Sequence, residues 1–147
     1  MEVLKEYEKI GEYFDSFCCI YPTAPFITGE RLKEAMELLE EADSVMPVVP
    51  FSYPPQRCFV IDENNYMKYK YSEYVQARSQ DLEKLYHDAG QFYIYHTEKY
   101  TALKGKIVED IMPIILSELE VQDIDNEDDW KLAELKYQLM RKSFAAM

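Results

Sequence analysis

Asp123 and Asp125, two aspartates two positions apart, are the residues of this chain whose spacing most suggests chemistry. The pattern of residues 121–125 predicts the end of a strand, and residues 126–130 predict the start of a helix. Alternate side chains of a strand share a face, so both carboxylates are expected to point together while Ile124 points into the core.

This stretch permits two interpretations. Paired carboxylates where an α/β strand ends can hold a hard cation such as Mg²⁺. In the second interpretation Asp125 or Asn126 only caps the following helix, whose positive end suits Glu127, Asp128 and Asp129. The stretch by itself favours the helix cap, and the rest of the sequence shifts the balance towards a cation site.

The composition limits the class of protein. The 147 residues suffice for one domain with a core. A net charge of −12, from 28 acidic and 16 basic residues, argues against nucleic acid polymers and anionic membranes as partners. No apolar run predicts a membrane span or signal peptide, so a cytoplasmic protein is expected. Cys18, Cys19 and Cys58 lack metal-ligand spacing and are expected to be reduced core thiols.

The order of the elements favours an α/β fold. The patterns predict a helix over residues 2 to about 14, a buried strand at 17–21, a helix over 29–41 capped by Thr28, and a buried strand at 44–49. This alternation favours a largely parallel sheet with right-handed crossovers, whose ligands collect beyond the carboxyl ends of the strands.

The middle of the chain predicts a hairpin. Residues 57–61 and 66–71 flank a polar turn, and the second run alternates with period two. Its many tyrosines suit a dimer arm, because tyrosine is favoured at interfaces. A hairpin folded on its own domain is the alternative, and the pattern leaves both open.

The remaining segments contain polar clusters but few known motifs. Arg78 offers a planar fork suited to a carboxylate or phosphate, and a helix to about residue 142 is expected to pack through Leu132, Leu135, Leu139 and Met140. His87 and His96 match no helical zinc spacing, and His96 is expected to be structural. No glycine-rich phosphate loop and no serine or cysteine nucleophile motif occurs.

Several long motifs taken together resemble one family. The segments are Arg78-Ser79-Gln80-Asp81-Leu82, Tyr86-His87-Asp88-Ala89-Gly90-Gln91-Phe92-Tyr93 and Val121-Gln122-Asp123-Ile124-Asp125, with the loop Tyr21-Pro22-Thr23-Ala24-Pro25-Phe26 and the helix from Asp129 to Glu134. They resemble the bacterial pseudaminic acid cytidylyltransferases, which are close to the CMP-sialic acid synthetases. The loop itself resembles the Pro-Thr-Ser-Pro loop of this wider sialate group.

The resemblance implies a fold and an activity. The fold would be the Rossmann-like, three-layer α/β sandwich of nucleotide-diphospho-sugar transferases, with residues 56–75 as a projecting dimerisation hairpin. Residues 1–147 would be the carboxyl-terminal part of one such domain. The family transfers CMP from CTP to the anomeric hydroxyl of a nonulosonic acid, pseudaminic or sialic, and releases pyrophosphate. A homodimer is expected.

The resemblance also implies roles for individual residues. Asp123 and Asp125 would be the catalytic metal ligands for Mg²⁺. The residues expected to bind substrate are Tyr21, Thr23, Arg78, Gln80, Tyr86, Asp88 and Gln91.

Two departures from the family pattern qualify the expectation. The family's basic, glycine- or serine-containing loop that grips the CTP phosphates is absent from the sequence, so this chain alone is expected to be inactive. Asp88-Ala89-Gly90 stands where sialate synthetases usually carry Asn-Gly-Ala, which favours pseudaminic acid. The alternative function is a non-catalytic remnant or interaction domain that keeps the fold and the dimer arm.

Overall fold

A computed structural model of the chain describes residues 2–145, with side chains to residue 142. It is a mixed α/β structure of four helices and seven strands within that range. The helices are α1 (Glu2–Lys9), α2 (Gly29–Leu38), α3 (Thr97–Ala102) and α4 (Glu127–Ala145). The strands are β1 (Ser16–Ile20), β2 (Ser44–Pro50), β3 (Phe59–Ile61), β4 (Met67–Tyr69), β5 (Tyr86–Asp88), β6 (Phe92–His96) and β7 (Ile111–Ile115).

The main sheet is mixed, so the expectation of a largely parallel sheet is wrong. β1 and β2 run in the same direction, as the helix–strand alternation predicts, but β6 lies between them and is antiparallel to both. Among the described residues, only β7 pairs in parallel with β2. The alternation indicated the direction of the first two strands. The alternating residues of β6 predict a strand, but nothing local in the sequence indicates that it inserts between β1 and β2.

β5 and β6 form one interrupted strand. Val48 pairs with Asp88 of β5 and with Ile115 of β7, and Val45 pairs with β6 and β7. Both β5 and β6 therefore lie on the side of β2 opposite to β7. Between them the ladder is broken at residues 89–91, where Gly90 has a φ of 62°. Such bulges re-aim nearby side chains and are common beside active sites.

Helices cover both faces of the sheet. One face forms the hydrophobic core, where α2 contributes Ala35 and β6 contributes Phe92 and Ile94, all fully buried. Tyr95 alternates to the opposite face, where its ring lies 4.8 Å from that of Tyr100 in α3. Thr28 caps α2 by accepting a hydrogen bond from the Arg31 amide at 3.3 Å, which confirms that prediction.

Several elements predicted to be buried are exposed. β1 forms where a strand is predicted, but it pairs only with β6 among the described residues. Cys18 and Cys19 are exposed rather than core thiols, and Cys58 is half-buried. The first helix ends at Lys9, because Gly11 adopts a left-handed φ of 82°. No helix within residues 2–145 is long and apolar enough to cross a membrane.

The contact face of α4 differs from the predicted one. Of the four predicted contact residues, Leu132, Leu135 and Leu139 are exposed and Met140 is half-buried, whereas Ala133 is buried and Lys136 is half-buried. The helix is rotated because its small and polar residues contact the body, and its leucines form an outer stripe.

The hairpin is confirmed as a structural unit. β3 and β4 form a separate two-stranded antiparallel sheet. Its turn is held by Asp62, whose carboxylate accepts hydrogen bonds from the amides of Asn64 and Tyr66 at 3.0 Å each. Lys68 lies 2.9 Å from the same carboxylate, and these contacts lower the pKa of Asp62, with Lys68 contributing most.

Candidate functional site

Three segments distant in sequence meet at one edge of the main sheet. β1, β2 and β7 run in the same direction, so their carboxyl ends lie at this edge. The backbone amide of Tyr21, just after β1, donates to the Gln91 carbonyl at 2.8 Å. A Cβ placed on Gly90 would lie 3.8 Å from Oδ2 of Asp123. The loop after β1, the bulge before β6 and the aspartate segment therefore form one site.

Asp123 and Asp125 lie on an irregular loop, not on a strand. After β7 the chain makes a 3₁₀ turn at Glu118–Glu120, and residues 121–124 have no regular structure. The predicted shared strand face is therefore wrong, and Ile124 is only half-buried. The physical reason is that Ser117 and Glu120 form a capping box that turns the chain away from the sheet.

The cap of α4 is Asn126, and Asp125 takes no part through its side chain. Oδ1 of Asn126 accepts hydrogen bonds from the amides of Asp128 and Asp129 at 2.9 and 3.1 Å. In return Oδ2 of Asp129 accepts from the amides of Asp125 and Asn126 at 3.1 Å each. Of the two caps left open by the sequence, Asn126 is confirmed.

The carboxylates of Asp123 and Asp125 are exposed and, within residues 2–145, accept no hydrogen bond from the protein. Two free carboxylates offer the oxygen ligands that Mg²⁺ takes in proteins, where one or two carboxylates suffice beside water and substrate phosphates. No cluster of three or more potential metal-ligating side chains occurs in the described part of the chain. The donor set thus suits a hard cation shared with a substrate rather than a cage made by this chain.

The segment before this loop is fixed by Glu120. Its carboxylate accepts from Arg31 Nε at 2.8 Å and Nη2 at 3.2 Å, and from the hydroxyl of Ser117 at 2.8 Å. Burial works to raise the pKa of Glu120, but the hydrogen bonds from Arg31 and Ser117 together bring it below its ordinary value. α2 is thereby tied to the segment that leads to the aspartates.

Gln91 and Asp88, both expected to bind substrate, have their side chains engaged within the protein. Gln91 is 2% exposed, and its Nε2 donates to the Glu120 carbonyl. Asp88 is exposed, but its Oδ1 accepts from the Gly90 amide at 2.8 Å and its Oδ2 from the Tyr93 hydroxyl at 2.7 Å. The structure places both at the site, where their bonds shape the bulge and join it to the aspartate loop.

Tyr93 belongs to the site and was missed as an individual residue. Its ring lies 5.4 Å from that of Tyr21, edge to face. Burial, followed by the hydrogen bond and charge of Asp88, raises the pKa of the Tyr93 hydroxyl far above its ordinary value, so it stays protonated and donates to Asp88. The signal that could have found it is the alternation of Gln91, Tyr93 and Tyr95 in a strand entered through a glycine.

Tyr21 is exposed and Thr23 is half-buried in the loop after β1. A cavity of about 810 Å³ is lined by Tyr21, Asp88 and Tyr93 together with other aromatic side chains and the thiols of β1. A larger cavity of about 1080 Å³ lies where β2 and β7 begin. Its wall includes seven carboxylates, which would repel an anionic substrate, so the smaller cavity is the better candidate; the seven are Glu8, Asp15, Glu40, Glu41, Asp43, Glu98 and Asp110.

Arg78 and Gln80 lie on the exposed segment before β5, and neither side chain makes a hydrogen bond within residues 2–145. No hydrogen bond or ion pair between their side chains and the aspartate loop occurs among the described residues. Tyr86 is exposed and opens β5 opposite Pro50. Nε2 of His96 donates to the Leu39 carbonyl at 3.0 Å, as a structural histidine would.

Comparison with known proteins finds several relatives that match most of this chain. The chain is 33% identical to the pseudaminic acid cytidylyltransferase of Campylobacter jejuni over 146 residues, covering 97% of this chain and 61% of the relative. It is 31% identical to a Helicobacter pylori protein named as a pseudaminic acid cytidylyltransferase and UDP-2,4-diacetamido-2,4,6-trideoxy-beta-L-altropyranose hydrolase, covering 87% of this chain and 25% of that protein.

Further matches are weaker. The CMP-N,N'-diacetyllegionaminic acid synthase of Legionella pneumophila is 28% identical, with 97% of this chain and 62% of that protein covered. A solved structure, the 4-diphosphocytidyl-2C-methyl-D-erythritol synthase of Anaerococcus prevotii, superposes with a TM-score of 0.48 at 14% identity over 94% of this chain and 67% of that one. No protein-family profile matches.

The chain spans about three fifths of the length of its Campylobacter relative. The relatives are named as cytidylyltransferases and as a synthase of a CMP-linked acid. The resemblance carried by the sequence motifs is confirmed: over nearly all of its own length this chain is similar to proteins named as pseudaminic acid cytidylyltransferases.

Proposed function

We propose that this chain carries the metal-binding and sugar-binding part of a nucleotidyltransferase that moves CMP from CTP to the anomeric hydroxyl of a nonulosonic acid and releases pyrophosphate. The proposal rests on one observation. The separate motifs that resemble the family meet in space, since Gly90 lies against Asp123 and Tyr21 is bonded to Gln91.

In this proposal Asp123 and Asp125 are the acidic ligands of the site. Their carboxylates are exposed and free of hydrogen bonds from the described residues, so both can bind a cation without breaking a contact. A bound Mg²⁺ would neutralise phosphate charge and polarise the phosphoryl group that is transferred. The protein's own contribution is to hold both oxygens on a loop fixed at its two ends.

The sugar side is proposed to be formed by the aromatic cavity. Tyr21 and Tyr93 present ring surface, and Thr23 adds a hydroxyl on the same loop. Asp88 acts here through Tyr93, because its oxygens already accept two hydrogen bonds. Tyr86, Arg78 and Gln80 remain proposed sugar contacts that rest on the motif resemblance alone.

Pseudaminic acid is the proposed sugar. The Campylobacter and Helicobacter relatives are named for it, and the Legionella relative is named for a legionaminic acid derivative at lower identity. The segment Asp88-Ala89-Gly90 agrees with this choice, since it differs from the usual sialate pattern.

The hairpin is proposed to join two copies of the chain. It lies in a sheet of its own, and Ile61, Tyr66 and Met67 are 73%, 71% and 65% exposed. Apolar and aromatic side chains so exposed suit burial in an interface.

Saturation-transfer NMR can test the sugar assignment on the chain itself. Pseudaminic acid should receive saturation from the protein in the presence of Mg²⁺, and N-acetylneuraminic acid should receive less. Tyr21→Ala should weaken the signal, whereas Tyr13→Ala, an exposed tyrosine outside the site, should leave it unchanged. Equal signals for the two sugars and for glucose would contradict the proposed specificity. Equal signals in the Tyr21→Ala and Tyr13→Ala variants would show that the sugar binds elsewhere on the chain.

A further inference from the structure

Lys136 occupies an unusual place for a lysine on a surface helix. It lies on the same side of α4 as buried Ala133 and is half-buried. Its Nζ donates a hydrogen bond of 2.6 Å to the carbonyl of Val121, fifteen residues earlier. Lysine side chains ordinarily extend their charge into water, and burial lowers the pKa of this one. The ammonium therefore has a specific backbone partner.

Val121 is the first residue of the loop that carries the two aspartates. The preceding carbonyl, that of Glu120, accepts from Gln91, so the start of the loop is held from two directions. The end of the loop is held by the capping box of Asn126 and Asp129. Lys136 and the cap belong to the same helix, so α4 grips the loop at both ends.

Building on the metal role proposed above, we propose that Lys136 is a positioning residue: its bond to Val121 fixes the loop geometry and thereby the cation affinity of Asp123 and Asp125. Groups that orient metal ligands from behind change metal affinity on the order of tenfold or more when they are removed. The sequence contains a signal for this role, because Lys136 interrupts the apolar residues of α4 at a position four after Leu132.

The direction of the change in cation affinity distinguishes a positioning role of Lys136 from a simple effect of its charge. Removal of a nearby positive charge strengthens cation binding by two carboxylates, since it removes repulsion. Loss of loop positioning weakens it. Lys136→Met removes both the charge and the bond, so a weaker cation affinity can come only from the lost bond.

Mn²⁺ binding, followed by electron paramagnetic resonance on the whole chain, measures this affinity. Asp123→Asn defines the background from the other carboxylates. The matched control is Lys131→Met, which removes a lysine from the same helix whose partner is the exposed side chain of Asp128 at 2.7 Å. Lys136→Arg keeps a donor and a charge and serves as the conservative variant.

The expected result is a site-specific Mn²⁺ dissociation constant on the order of tenfold higher in Lys136→Met, close to wild type in Lys136→Arg, and not higher in Lys131→Met. Hydrogen exchange without metal should show faster exchange of the amides of residues 122–125 in Lys136→Met only. Unchanged or tighter Mn²⁺ binding in Lys136→Met would refute the positioning role of Lys136 but not the metal site. Identical Mn²⁺ binding in wild type and Asp123→Asn would refute the metal site, and the role of Lys136 with it.

Discussion

The helix cap offers a sharp test, because it decides whether Asp125 is needed for folding. Asn126 accepts two backbone hydrogen bonds at the start of α4, from Asp128 and Asp129. Asn126→Ala leaves both amides without that partner. The change should cost about 1 kcal/mol in the free energy of unfolding, which corresponds to roughly 3 °C in Tm for a chain of this size. Asn126→Asp should be nearly neutral, because aspartate caps about as well.

Asp125→Ala is the decisive comparison. Its side chain accepts no hydrogen bond within residues 2–145, so the expected change lies within about 0.5 kcal/mol. Loss of its charge near the positive end of α4 is opposed by relief of repulsion from the neighbouring carboxylates. Urea unfolding followed by far-UV circular dichroism measures all three variants. If Asp125→Ala cost as much as Asn126→Ala, Asp125 would be structural and its proposed ligand role would lose its main support.

Three further outcomes are expected. Ile61→Lys combined with Met67→Lys should convert a dimer to a monomer in sedimentation analysis, since both side chains are exposed on the hairpin; a wild-type chain that is monomeric at high concentration would contradict the dimer arm. This chain alone should release no pyrophosphate from CTP, Mg²⁺ and a nonulosonic acid, because no glycine-rich phosphate loop occurs in its sequence; measurable release would show that the nucleotide site has been misplaced. Glu120→Gln should make the free energy of unfolding fall less steeply as the pH is lowered into the acid range. The reason is that the folded pKa of Glu120 lies below its ordinary 4.5. The stability that its carboxylate adds is therefore present above that pH and is lost as the pH falls through the lower folded value. The side chains of Glu120 and Arg31 are 28% and 33% exposed to solvent, so the effect should be small. If the free energy of unfolding of Arg31→Met depended on acid pH as that of wild type does, the stabilising ion pair between Arg31 and Glu120 would be contradicted.

Local patterns in the sequence predicted most elements but not their neighbours. Thr28 correctly predicted the start of α2, and the polar turn correctly predicted the hairpin, because caps and turns depend on adjacent residues. The insertion of β6 between β1 and β2 depends on contacts between residues far apart in the chain. No periodicity encodes such a pairing.

In the candidate site, too, local features were predicted from the sequence and contacts between distant residues were not. The motif resemblance singled out residues 86–93 and the aspartate segment, and the structure brings Gly90 and Asp123 together. The strand geometry assigned to Asp123 and Asp125 was wrong, because a capping box at Ser117 and Glu120 ends the extended run. Lys136 contributes through a backbone carbonyl fifteen residues away, a contact that only the folded chain creates.

The central claim is that Asp123 and Asp125 serve phosphoryl transfer. The direct measurement is pyrophosphate release by a chimera that joins this chain to the part of the Campylobacter relative outside the match, given CTP, pseudaminic acid and Mg²⁺. Asp123→Asn and Asp125→Asn should each lower turnover by about 100-fold or more, because loss of metal-assisted charge stabilisation costs several kcal/mol. Asp128→Asn, an exposed neighbour, should keep normal turnover, and all variants should unfold at the same temperature. Full activity in both Asp123→Asn and Asp125→Asn would contradict the account.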